Sequence, residues 1–165
     1  MDLKTQDKIL QGAAYFVKKS QEEPGKGLDA LKLQKLLYYA QAWNLALSGK
    51  RLFPDEFQAW VHGPANHKVW HEFREFNFNA PHPEFLAHNL KFTSDELSVL
   101  ESVWMVYGKF DGKYLETLTH NEDPWQLARK DLSPKEASKN VISDEVMKLY
   151  YGQRLKEEEH SSKGN

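Results

Sequence analysis

The sequence predicts a mainly α-helical fold, a compact single-domain bundle of six or seven helices with one short strand or hairpin near residues 51–61. Three observations carry that reading. Apolar residues recur at three- and four-residue steps in several separate windows. Most windows open on a capping residue and close on Gly or Pro. A period of two shows only over Phe57, Ala59 and Val61. At 165 residues, with 40% hydrophobic and 13% aromatic side chains, the chain has the size and apolar bulk to close one core.

The first helix is expected over about residues 3–20, where Ile9, Ala13, Phe16 and Val17 form one stripe. Pro24, Gly25 and Gly27 break it. Asp29 then caps the strongest helix, with Leu33, Leu36, Leu37, Ala40, Trp43 and Leu47 in step and Gly49 as its stop. Tyr38 and Tyr39 widen its stripe, so this helix should be central and touched on more than one face. After the extended piece at 51–61, Gly63-Pro64 makes a turn, with Pro64 suited to the first position of a helix running to about Phe76. Residues 77–92 carry two prolines and three phenylalanines without periodicity and read as a loop pinned by those aromatics.

Thr93 and Glu96 form a capping box for a helix over about 94–108 that carries Leu97, Leu100, Trp104 and Tyr107 and ends at Gly108. A short helix over about 112–119 precedes another that Asp123 caps and Pro124 begins. Ser133 and Glu136 repeat the capping-box spacing, and Ser143 caps the last helix, expected to bury Val146, Leu149 and Tyr150. Residues 1–155 are expected to form the domain. Residues 156–165, without an apolar anchor, should be a frayed, flexible polar tail.

Composition narrows the function classes. Twenty-two basic against 24 acidic residues give a net charge of -2, which lacks the basic excess that drives phosphate binding, so no nucleic-acid partner is expected. Lys18, Lys19, Lys32 and Lys35 make a modest basic patch and read as solvated helix faces. No window approaches a membrane span, and MDLKTQDKIL has no apolar signal region. With no cysteine, disulfides, thiolate metal sites and cysteine nucleophiles are excluded, and a cytoplasmic location is the expectation.

Chemistry-bearing residues concentrate in AWVHGPANHKVWHEF, residues 59–73. His67 and His71 share a helical face and His62 lies across the Gly-Pro step, a residue set that could supply three imidazoles to zinc. As polar residues flanking Trp60 and Trp70, the same histidines need no metal, and that reading is preferred. The stretch TLTHNEDPW offers Thr119, His120, Glu122 and Asp123 as acid/base groups, yet these also serve as the end of one helix and the start of the next. No serine nucleophile turn and no glycine-rich phosphate loop accompanies them. The expectation is a non-enzyme with no cofactor.

Three blocks, LKLQKLLYYAQAWNLALSGKRLF (31–53), FQAWVHGP (57–64) and YLETLTHNEDPWQLAR (114–129), resemble in order and spacing the SocA-like or Panacea domain of antitoxins and phage-associated proteins. The resemblance spans about residues 8–151. It implies a compact helical antitoxin that neutralises a toxin encoded nearby by direct protein binding. Family members pair with toxins as different as alarmone-synthetase-like enzymes, Fic-type enzymes and membrane-acting peptides. It also implies no catalytic activity and, in a chain of this length, no added DNA-binding domain. After the Gly-Pro step the family usually has a small apolar run ending in proline, whereas this chain reads Ala65-Asn66-His67.

For partner binding, Trp60 and Trp70, with Tyr38 or Tyr39, are expected to line a groove beside the Gly-Pro turn, accompanied by His62, His67 and His71. The aromatic loop 77–92 would cover it. Trp43, Trp104 and Trp125 are assigned to the core. The complex would be one-to-one or small and symmetric, and a homo-oligomer is compatible with it. Two alternatives stand beside the antitoxin: a proteolytic adaptor, for which a protease is a second partner and the tail 156–165 a handle, and a metallohydrolase using His62, His67, His71 or His120.

Overall fold

The computed structural model describes residues 7–86 and 91–163. Among them lie eight helices and one two-stranded hairpin: α1 (Lys8–Glu22), α2 (Ala30–Ser48), β1 (Gln58–Trp60), β2 (Gly63–Ala65), α3 (His67–Phe73), α4 (Pro83–Leu86), α5 (Ser94–Tyr107), α6 (Gly112–His120), α7 (Asp123–Ala128) and α8 (Asp144–Lys163). The expected residues 3–6 of the first helix lie outside the described range.

Helix α2 organises the core because almost its whole circumference is apolar or amphipathic. Its ends are set as its sequence predicts: Asp29 accepts from Lys32 N at 2.8 Å, and Gly49 turns left-handed (φ 75°) to return its N–H to Leu45 O. Leu33, Leu36, Leu37 and Ala40 are fully buried, each leucine contributing roughly 1.5–3 kcal/mol. Helices α1, α3, α5, α6 and α8 and strand β2 all pack on it. Leu47, on the expected stripe, is instead 60% exposed near the helix end.

Where α2 meets α8, tyrosines close the interface. Tyr39 OH and Tyr151 OH both donate to Glu122 Oε1, at 2.7 and 3.0 Å, and Tyr38 OH lies 3.0 Å from Tyr151 OH. Tyr39 stacks on Tyr107 with centroids 4.1 Å apart, and Trp43 Nε1 donates to Tyr107 OH at 2.8 Å. Tyr38 and Tyr39 are therefore core residues and line no surface groove. Burial raises the Glu122 carboxyl above its ordinary range, against the two tyrosine hydrogen bonds.

The chain after α2 forms the hairpin, with Trp60 opposite Gly63, Ala59 opposite Pro64 and Gln58 opposite Ala65. Gln58 also bridges Val141, while Ala59 N donates to Asn140 O and Ile142 N to Phe57 O, each at 2.8 Å. Pro64 thus lies in β2 rather than opening a helix. It stands opposite Ala59, whose N–H and carbonyl bond outward to Asn140 and Arg129, so the missing N–H leaves no ladder bond unmade. Asn66 caps α3 instead, accepting from Val69 N at 3.0 Å.

Helix α3 stops at Phe73, short of the expected Phe76. Phe73, Phe76, Phe78, His82 and Phe85 stack on one another and turn the chain back. That loop gains the short helix α4 and is tied to α1, where Gln21 Nε2 donates to Ala80 O. Its described residues pack on α1 rather than over the hairpin; residues 87–90 lie outside the described range. The Thr93–Glu96 capping box forms as predicted.

Three further expectations are corrected. Ser133–Glu136 starts no helix, because the Arg129 guanidinium takes the carbonyls of Ser133 (3.1 Å) and Glu136 that a helix would need. Helix α7 begins at Asp123 itself, with Glu122 at the cap position. Helix α8 buries Met147 and Tyr151 and leaves Leu149 66% exposed; it runs on to Lys163, through the stretch read as a frayed polar tail.

Candidate functional site

The hairpin end of the molecule brings the three quoted blocks together. From α2 come Gln34 and Lys35, from the hairpin Trp60, His62 and Gly63, and from α6 Lys113 and Glu116; with Ala65, Val69, Trp70 and Phe73 they line a cavity of about 410 Å³. A shallower depression of about 610 Å³ lies beyond Trp60 and Trp70, against Ala137–Lys139. The two tryptophans form the ridge between them.

The turn is built around glycine. Gly63 has φ 103°, and a Cβ there would fall 2.6 Å from Lys35 Cε and 2.9 Å from Thr119 Oγ1. The Gly-Pro step is thus the place where β2 lies on the buried lysine, and only glycine suits both its backbone angle and its space. Lys35 Nζ donates to Pro64 O at 3.2 Å. Burial pushes its ammonium down to about 7, with the Glu116 and Asp29 charges opposing the fall.

Glu116, whose side chain is 8% exposed, accepts from His62 Nδ1 at 2.6 Å and faces Lys113 Nζ at 3.5 Å. Burial raises its carboxyl, but the His62 hydrogen bond and the His62, Lys113 and His120 charges more than offset that and leave it below the ordinary value. His62 itself is 74% exposed in its side chain, at the cavity mouth.

The rim is aromatic. Trp60 and Trp70 meet edge to face with centroids 6.5 Å apart, and His67 sits 6.4 and 6.1 Å from them. Trp70 is 41% exposed, with the Arg74 guanidinium 4.7 Å from its ring centre. The ridge is braced from behind: Trp125 Nε1 donates to Trp60 O at 2.8 Å, and Arg129 Nη1 to Ala59 O at 2.9 Å. The TLTHNEDPW stretch therefore holds the hairpin. Its His120 stacks on Trp125 at 4.0 Å, and its Glu122 belongs to the tyrosine cluster. Burial lowers the His120 imidazole.

The structure brings Trp60, His62, His67 and Trp70 to one surface, with His71 exposed on α3 beside them. It does not bring Tyr38 or Tyr39 there. His62 pairs with Glu116 while His67 packs on the tryptophans, and among the described residues no group of three or more His, Cys, Asp or Glu could hold a metal. Asn66, part of the departure after Gly-Pro, is a buried hub that exchanges two hydrogen bonds with Gln34 and donates to Glu56 O.

Lys35 was not legible as a site residue. Read as part of a solvated patch, Lys32 and Lys35 are both buried, at 2% and 1% exposure. The signal was present in spacing, since Tyr38 and Tyr39 follow Lys35 by three and four residues on the central helix.

A protein-family model described as antitoxin SocA-like, Panacea domain, matches residues 33–126. The chain belongs to this family. The matched span is narrower than the expected 8–151 and holds α2 from Leu33 on, the hairpin, α3 to α6 and the start of α7, so the rim and all of the cavity lining but Ala30 and Leu31 lie inside the match while α1 and α8 flank it. No curated protein and no solved structure matches the chain. Among the described residues of this Panacea domain, no helix is long and apolar enough to cross a membrane.

Proposed function

We propose that this Panacea domain is an antitoxin that neutralises a cognate toxin, encoded nearby, by direct protein binding and without turnover. The family match carries the reading. The geometry supports a particular docking surface: the ridge of Trp60 and Trp70 with His62, His67 and His71 at its sides. Half-exposed aromatics held by a fixed backbone lose little conformational freedom on binding and supply much of the energy at protein interfaces. Trp60 is fixed through its carbonyl by Trp125 and through its indole N–H by Gln58 Oε1 at 2.7 Å.

The acid/base candidates support binding over catalysis. His120 is stacked under Trp125 and Glu122 is engaged by two tyrosines, so neither group stands at the cavity mouth.

Expressing the adjacent reading frame alone should arrest growth, and co-expressing this chain should restore it. Arrest that this chain fails to relieve, or a harmless neighbour, would sink the proposal.

A further inference from the structure

The cavity beneath the hairpin holds chemistry that docking on its rim does not use. Leu31, Ala65, Val69 and Phe73 give it apolar walls, and Lys35 lies in its lining. An ammonium carries three N–H donors. Among the described residues, Lys35 Nζ has one hydrogen-bond acceptor, Pro64 O. Two donors of a buried side chain are thus left for something in the cavity.

The charges around it favour an anion. With Lys35 in its ammonium form, Lys35 and Lys113 are set against Glu116, an excess of one positive charge with His62 neutral and of two with His62 protonated. Both Glu116 oxygens are already engaged, by His62 and Lys113. Asp29, whose charge also reaches Lys35, is held at the start of α2 by Lys32 N and does not line the cavity.

We propose that this cavity binds a small monocarboxylate with an apolar body, its carboxylate on Lys35 Nζ and its hydrocarbon or ring against Leu31, Val69 and Phe73. The volume of about 410 Å³ falls within the roughly 300–1,000 Å³ of small-molecule sites, which are mainly apolar with a few convergent polar groups. A carboxylate there gives Lys35 a charge-assisted partner, whereas a neutral amide of the same shape supplies only an acceptor. The site stands apart from toxin neutralisation and is testable on the lone chain.

The test is calorimetric titration of the full chain with hexanoate, octanoate and phenylacetate, and with octanamide and octylamine as neutral and cationic counterparts. At least one acid should saturate at one site, and octanamide should bind at least about tenfold more weakly than octanoate, with octylamine undetected. Lys35→Met, with circular dichroism unchanged, should weaken acid binding by at least about tenfold. Ala30→Phe, which fills a half-exposed lining position and keeps Lys35, should block it as well. Failure of all three acids to bind, equal affinity for octanoate and octanamide, or undiminished binding in either folded variant would overturn the proposal.

Discussion

Lys32 and Lys35 sit one turn apart on α2, both buried, in opposite kinds of surroundings. Lys32 Nζ reaches the carbonyls of Gly108, Lys26 (2.8 Å) and Gly27 (3.0 Å) and lies 5.3 Å from the Trp104 ring centre. It fastens the end of α5 and the α1–α2 loop to the core. Lys35 has one carbonyl and borders a cavity. A buried ammonium whose donors are all taken is a clamp; one with donors to spare marks a place where something else can be held.

That contrast is most open to attack through stability. Lys32→Met should be the most damaging change, costing about 2–4 kcal/mol in chemical denaturation, because three carbonyls lose their donor at once. A loss under about 1 kcal/mol would show that Lys32 is no clamp. Gly63→Ala comes next, at about 2–3 kcal/mol, since the new Cβ meets Lys35 and Thr119 in a backbone conformation that alanine disfavours. Wild-type stability in Gly63→Ala would mean that β2 does not rest on Lys35.

Lys35→Met should be mild at pH 7 and informative in its pH dependence. The Lys35 pKa falls from 10.5 in the unfolded chain to about 7 in the fold, so between those values the unfolded state binds more protons. Stability conferred through this group therefore rises with pH across that window and is lost as pH falls to 7. Between pH 7 and 9 the wild type should gain on the order of 1–2 kcal/mol over Lys35→Met, the titrations common to both proteins cancelling in the difference. Parallel stability curves for the two would place Lys35 in water.

How much of this the amino-acid order discloses depends on how local the cause is. Asp29, Gly49 and the Thr93–Glu96 pair act on backbone within one turn of themselves, and their helices begin and end where the sequence says. Ser133–Glu136 has the same local pattern and fails, because Arg129, four residues before Ser133, captures its carbonyls from outside. The buried side of α8 differs in the same way: Met147 and Tyr151 face α2 because Tyr151 belongs to the Glu122 cluster, a contact fixed by α2 and α7. At the site, the tryptophan and histidine crowd at 59–73 was visible as a cluster. Which aromatics reach the surface was not, and neither was the role of Lys35, since both depend on how α2 lies against the hairpin and α6.

Large apolar side chains are exposed elsewhere too, among them Met105 on α5 at 68% and Leu149 on α8 at 66% exposure. Under the proposed function the toxin docks on the Trp60–Trp70 ridge and not on these residues. The most direct test is the affinity of the purified chain for the product of the adjacent reading frame, measured for a Trp60→Ala, Trp70→Ala variant and a Met105→Ala, Leu149→Ala variant of equal helicity. The tryptophan pair should weaken binding by about a hundredfold or more, as loss of two aromatic anchors does, while the other variant binds like wild type. Full affinity without the tryptophans, or a loss confined to Met105 and Leu149, would contradict it.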